Sequence, residues 1–451
     1  MRNKQSWSTL MVFVLIYAAL TSTRVYAQPD ETIYIKAKKI YTSDDGRIII
    51  NGGILIKEGK ITKLDEKAKP PREAFVIDLS DKIIIPGLID AFTHLGFHQE
   101  DFNVRTEPPT PWRKPLEGIY RLYFGQRERE SPPPQIEARF KASDAVFYGD
   151  SWFKKFLSQG ITSASIAIPT DNLLGGIPFV ARLFADAPSD FYMLDPAGMV
   201  FSFSGDRNVM KRYGDLVKVF QDAQDYRKEW EKYGKDLKKF QAQEKEGKDK
   251  QKEKGKEGEE AEKEVKEPKE PRKNENHEAV LQVLDRKIPA LIRASKINEI
   301  QAALKIREDF RIRLVLVGGH EAHKIPLEIS SRKVSIIAGP ESILVKKGGK
   351  INYIQELLAN NIPVAFCSHS SNDTSFLLYQ LTYAVQNGLS IGDALDTVTA
   401  HPAQILGIPN RVGSIAVGKQ ADFVVLDGEP FELETRVKEV YISGKGVYFD
   451  E

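Results

Sequence analysis

The chain has 451 residues, 41% of them hydrophobic and 10% aromatic, with a single Cys and 65 Lys+Arg against 63 Asp+Glu. That much apolar material builds one large domain or two smaller ones, which excludes a disulfide framework, a collagen-like chain and wholesale disorder. The near balance of charge excludes an electrostatic grip on nucleic acid or on an anionic membrane face.

In chain order, residues 1–27 read as a signal peptide, with an uncleaved anchor as the alternative. Arg2 and Lys4 make a positive start, residues 10–20 are an apolar run too short to span a bilayer, and Val25-Tyr26-Ala27 is a small-residue cleavage site. Cleavage removes Arg2, Lys4 and Arg24 and leaves 62 bases against 63 acids. The expectation is an exported protein, periplasmic or extracellular, with no membrane span after cleavage.

Residues 28–85 alternate β-rich stretches with turns at Asp44-Asp45-Gly46, Asn51-Gly52-Gly53 and Glu58-Gly59-Lys60, the pattern of consecutive antiparallel hairpins. Residues 408–451 have the same texture, with turns at Asp427-Gly428 and Ser443-Gly444-Lys445. The two ends are therefore predicted to build one small β-sandwich. Residues 86–407 change period: short, nearly unbroken apolar runs (161–168, 288–292, 312–317, 334–338, 363–367) alternate with amphipathic helical stretches such as 296–310 and 351–361. Buried strands alternating with helices predict an α/β fold with a parallel sheet, and their number favours a (β/α)8 TIM-like barrel over a doubly wound sheet.

Two segments interrupt this alternation. Residues 99–136 are Pro-rich, carry Trp112, Tyr120 and Phe124, and read as a lid, a substrate wall or a surface loop. A charged insertion occupies about 230–275 and is about three-quarters charged over 244–273. It reads as a solvated helix extension, a tether or a contact surface.

The string Pro86-Gly87-Leu88-Ile89-Asp90-Ala91-Phe92-Thr93-His94-Leu95-Gly96 carries the most chemistry. With it go Asp171-Asn172-Leu173-Leu174-Gly175-Gly176, Thr399-Ala400-His401-Pro402-Ala403 and the run from Gly413 to Phe423. Together these strings resemble the amidohydrolase superfamily, in particular its imidazolonepropionase-like branch. The resemblance covers nearly all of the chain from residue 31 onward except the charged insertion.

It implies a metal site with altered ligands. The first-strand histidine pair stands here as Phe92 and His94, and a phenyl ring has no lone pair for a metal. Arg293 occupies the next histidine position; it stays protonated, and a dication about 4 Å away would repel it by roughly 8 kcal/mol at an effective dielectric near 20. His320 keeps another ligand position, and His369 replaces the aspartate that takes a proton from the attacking water. A neutral imidazole can ligate zinc or act as a base, so His94, His320 and His369 remain as a three-imidazole set, with Asp373 as a substitute carboxylate. One zinc and no metal both stand as readings, and a binuclear centre is not expected.

Without a metal, Arg293 can hold a carboxylate or polarise a carbonyl while His369 or His320 moves protons. His323 and His98 are expected near bound substrate, with packing and a solvated loop as their other readings. His277, His401 and Cys367 read as structural. The function implied is an amidohydrolase-like hydrolase of carbon–nitrogen bonds other than peptides. The alternative is a non-catalytic relative that binds a small ligand or an intact homologous partner. Expected partners are a small, anionic ligand or substrate and an oligomer or homologue.

Overall fold

In the computed structural model, which describes residues 32–97, 137–147, 149–203, 208–253, 267–346, 349–369 and 375–450, strands from both ends of the chain meet in one sheet. From the N-terminal side come β1 (Ile33–Tyr41), β2 (Ile48–Lys57), β3 (Lys60–Asp65) and β4 (Phe75–Pro86). β1 pairs antiparallel with β2 and parallel with β4. Alternation of side chains explains how this sheet is covered on both faces. Ile33, Ile35 and Ala37 point into one core, and a register shift between Ala37 and Lys39 carries the pattern on to Ile40. In β4, Ile84 joins that core while Ile83 and Ile85 turn to the other face, against the body of the protein.

The body begins with β5 (Leu88–Thr93), which pairs parallel with β6 (Ile161–Ile166). β7 (Phe179–Arg182) and β8 (Tyr192–Leu194) continue this sheet antiparallel. A second sheet is wholly parallel, in the order β15-β12-β11-β10-β9. Its strands are β9 (Met199–Ser202), β10 (Ala290–Ala294), β11 (Leu314–Gly318), β12 (Ser335–Ala338) and β15 (Val364–Phe366), with the hairpin β13 (Leu344–Lys346) and β14 (Gly349–Ile351) inserted before the last. The chain then returns to the terminal sheet as β16 (Phe423–Leu426), β17 (Val437–Ile442) and β18 (Lys445–Phe449), β16 lying antiparallel to β4.

The fold is thus α/β with several sheets. Among the described residues the parallel strands form arcs of two and five rather than one hydrogen-bonded ring of eight. Two local features open the ring. The far edge of β6 is taken by antiparallel β7, and residues 174–176 lie against β9 through Gly175, Gly176 and Val200. At the other junction, β15 meets β5 through the Asp90 side chain and the bond from His369 N to Phe92 O, at 3.2 Å, instead of through a ladder.

Both faces of the parallel strands are apolar, as the unbroken runs require. Leu291, Val315, Val317, Ile337, Ala365 and Cys367 form an inner cluster with Ala91, Phe92 and Val200. Their neighbours Ile292, Leu316, Ile336 and Phe366 belong to the outer layer that the helices cover.

The charged insertion starts inside a helix of 45 residues, Val209–Glu253, about 68 Å long at 1.5 Å per residue. Its first turns are docked by Leu216, Phe220 and Ala223, all fully buried. Residues 254–266, the N-terminal segment and the Pro-rich stretch before residue 137 lie outside the described residues. Among the described residues no helix is long and apolar enough to cross a membrane.

Candidate functional site

The C-terminal ends of β5, β10, β11, β12 and β15 bring together most of the residues singled out in the sequence, where parallel α/β sheets carry their chemistry. His94 follows β5. Its Nδ1 lies 2.8 Å from the carbonyl oxygen of Ala167. A carbonyl only accepts, so Nδ1 carries the proton and Nε2 keeps a lone pair. Burial pushes the His94 pKa down to about 4, so the ring is neutral at pH 7.

His369 stands just past β15 with φ of 56°, a left-handed backbone that turns its imidazole toward His94. The two ring centroids are 5.7 Å apart. Burial again lowers the pKa, well below the ordinary histidine value, with the charges of His94, Arg293 and His320 adding to the effect. Phe92, 1% exposed, packs edge-on against both rings at 5.5 and 5.0 Å. It presents an apolar surface to both.

Asp90, not singled out in the sequence, supports this pair. Its side chain is fully buried and accepts from the backbone N–H of Phe92 at 3.3 Å, from that of Ser368 at 3.1 Å, and from the Ser368 hydroxyl. One carboxyl therefore ties β5 to the residue before His369. Burial raises its pKa to about 7.

Arg293 reaches the same region, and its partners within the chain are a carbonyl and a carboxylate. Its Nη1 donates to the Thr170 carbonyl at 2.5 Å and to Asp171 Oδ1 at 3.2 Å. Asp171 belongs to one of the strings noted in the sequence, where nothing marked it as an arginine partner. Its carboxylate is largely exposed, and the other guanidinium nitrogens have no partner among the described residues.

His320 is engaged at both nitrogens, Nδ1 with Ser295 Oγ at 3.1 Å and Nε2 with Glu341 Oε2 at 3.1 Å. His323 is held against the same loop. Its Nδ1 donates to the carbonyl oxygen of His320 at 2.8 Å and braces that loop. His401 makes the same kind of bond to Val364 O at 3.0 Å. His98 and Asp373 lie outside the described residues. The Cys367 thiol is fully buried, and burial pushes its pKa up, consistent with an inert side chain.

The donor set does not fit the metal that the family resemblance implies. Phe92 offers nothing, both His320 nitrogens already have partners, and the Arg293 cation acts on both remaining imidazoles. Among the described residues no group of three His, Cys, Asp or Glu side chains is spaced to hold a metal ion. The three-imidazole set of His94, His320 and His369 is therefore not assembled as a ligand group.

The Amidohydrolase family matches residues 83–447, most of the chain, and the chain belongs to that family. Among curated proteins it is 22% identical over 436 residues to the amidohydrolase tasK of Hapsidospora irregularis, covering 88% of this chain and 40% of that protein. It is 42% identical over 62 residues to the N-acetylglucosamine-6-phosphate deacetylase of Danio rerio, 14% of each. The chain thus spans less than half the length of these relatives. Among solved structures, an amidohydrolase from Thermotoga maritima superposes with a TM-score of 0.70 at 24% identity, over 93% of this chain and 100% of that one. A molinate hydrolase superposes with a TM-score of 0.51 at 13% identity, over 93% and 95%. These two likenesses are of fold.

Proposed function

We propose that this amidohydrolase-family protein hydrolyses a carbon–nitrogen bond, other than a peptide bond, in a small anionic substrate, at a site that works without a metal. The observation that carries the reading is the pair of half-buried imidazoles, His94 and His369, with ring centroids 5.7 Å apart under the charge of Arg293. Two neutral rings at pH 7 are proton acceptors, and their partial exposure leaves them within reach of a substrate. In this reading His369 moves the proton at the scissile bond. Arg293 uses the guanidinium nitrogens that Thr170 and Asp171 leave over to hold a substrate carboxylate or polarise the carbonyl. Phe92 makes the floor of the pocket apolar. The scaffold proposed for this chemistry is a (β/α)8-type barrel, the seven parallel strands of the two arcs supplying seven of its staves. The inner cluster drawn from β5, β9, β10, β11, β12 and β15 supports that arrangement.

Elemental analysis of the purified protein, followed by turnover of a panel of cyclic amides, tests the proposal. The expected result is less than stoichiometric metal and turnover that is lost in Arg293→Ala and His369→Ala. One zinc per chain that disappears in His94→Ala would overturn the metal-free reading.

A further inference from the structure

A second constellation stands beside this pair, at the ends of three neighbouring parallel strands. Ser295 follows β10, His320 follows β11 and Glu341 follows β12. Their side chains are joined in series, Ser295 Oγ to His320 Nδ1 and His320 Nε2 to Glu341 Oε2, each link 3.1 Å long. A carboxylate only accepts, so Nε2 carries a proton, and in the neutral form of the ring Nδ1 turns its lone pair to the serine hydroxyl.

Each member is braced from behind. Glu299 accepts from the backbone N–H of Ser295 at 2.9 Å. Gly318 has φ of +101°, and a Cβ there would stand 2.5 Å from Ser295 Oγ, so only glycine leaves the hydroxyl its room. The Tyr353 hydroxyl donates to the Glu341 carbonyl at 2.9 Å, and its ring lies 5.8 Å from that of His320. Ser295 and His320 remain half-buried and so reachable. A hydroxyl, an imidazole base and an orienting carboxylate in hydrogen-bonded series is the arrangement that activates a weak oxygen nucleophile, whatever the fold or chain order.

We infer that Ser295 is a nucleophile, with His320 its general base and Glu341 the group that orients the imidazole, in acyl transfer from a small amide or ester. The inference rests on the hydrolase reading above and changes its attacking group from water to Ser295. Ser295 Oγ bonds to the carbonyl carbon as its proton passes to His320 Nδ1. The tetrahedral adduct then collapses, the carbon–nitrogen bond breaks, and the proton leaves with the amine. Water attacks the serine ester and gives a proton to Nδ1, the bond from carbon to Oγ breaks, and that proton returns to Oγ. One water is consumed, and one acid and one amine are released. Arg293, two residues before Ser295, is the cation of the same strand end available to the oxyanion.

The test is labelling of the full-length protein with a fluorophosphonate, which replaces fluoride by a serine oxygen, read by intact mass and peptide mapping. The expected result is one adduct on Ser295, absent in Ser295→Ala, with labelling slowed about 100-fold in His320→Gln and about tenfold in Glu341→Gln. No adduct on Ser295 of the folded, unmodified protein overturns the inference, as does a labelling rate that His320→Gln leaves unchanged. Since the unmodified protein carries the decisive measurement, a variant that fails to fold does not decide it. Cyclic-amide turnover by a protein that does not label refutes the serine step and leaves the hydrolase reading standing.

Discussion

Asp90 accepts three hydrogen bonds in a place that solvent does not reach, and its charge state links stability to pH. Its folded pKa, about 7, lies above its ordinary value of 3.8, so the folded protein holds a proton that the unfolded chain releases. The stabilising effect is whole below 3.8 and is lost as pH rises through about 7. His94 has the opposite sign: its folded pKa lies below 6.5, so its contribution is present above 6.5 and lost as pH falls through about 4. Asp90→Asn keeps an acceptor for the two backbone N–H groups and removes the first dependence. Urea unfolding at pH 5 and pH 8 is expected to show that the unmodified protein gains on Asp90→Asn at the lower pH; equal differences at the two values would refute this. Phe92 and Arg293 were legible in the sequence as site candidates, because the family resemblance rests on short strings of fixed spacing. Asp90, Asp171, Ser295 and Glu341 were not, since their partners come from other strands and no local spacing pairs them.

The helix Val209–Glu253 shows what an element owes to packing and what it owes to propensity. Its leading turns dock through Phe220, whose ring lies 5.4 Å from that of Phe201 on β9 and 4.8 Å from that of Phe310. Further on, Tyr226, Trp230 and Tyr233 touch edge to face, and beyond them charged residues take over. Phe220→Ala removes a fully buried ring from between two others and is expected to destabilise the fold by about 3–5 kcal/mol, measured by urea unfolding. A loss under 1 kcal/mol would mean that the helix docks elsewhere. The charged composition was legible in the sequence as an insertion without a core. Its reading as a helix extension was one of three left open, because the charged residues themselves carry no apolar period to choose among them.

At the scale of the whole molecule, the terminal sheet is fastened to the body by Arg182 on β7. Its guanidinium is buried and bonds Asp422 at 3.2 Å, Ser443 at 2.7 Å and Gln420, all from the C-terminal part of the chain. Arg182→Ala leaves the Asp422 carboxylate buried without its cation, and a loss of about 3–5 kcal/mol is expected. Differential scanning calorimetry checks it, and an unchanged Tm would show that the sheet is held by apolar contacts alone. Short strings carried the family resemblance, and by itself the sequence determined the β-rich ends and the strand and helix alternation between them. Those follow from periodicity and spacing, which act between near neighbours. Only the tertiary structure decided that the parallel strands lie in two arcs, that His94 and His369 face each other as neutral rings, and that Ser295, His320 and Glu341 join in series. Each of these depends on groups more than twenty residues apart, brought within hydrogen-bond or ring-contact distance by burial of the strands between them.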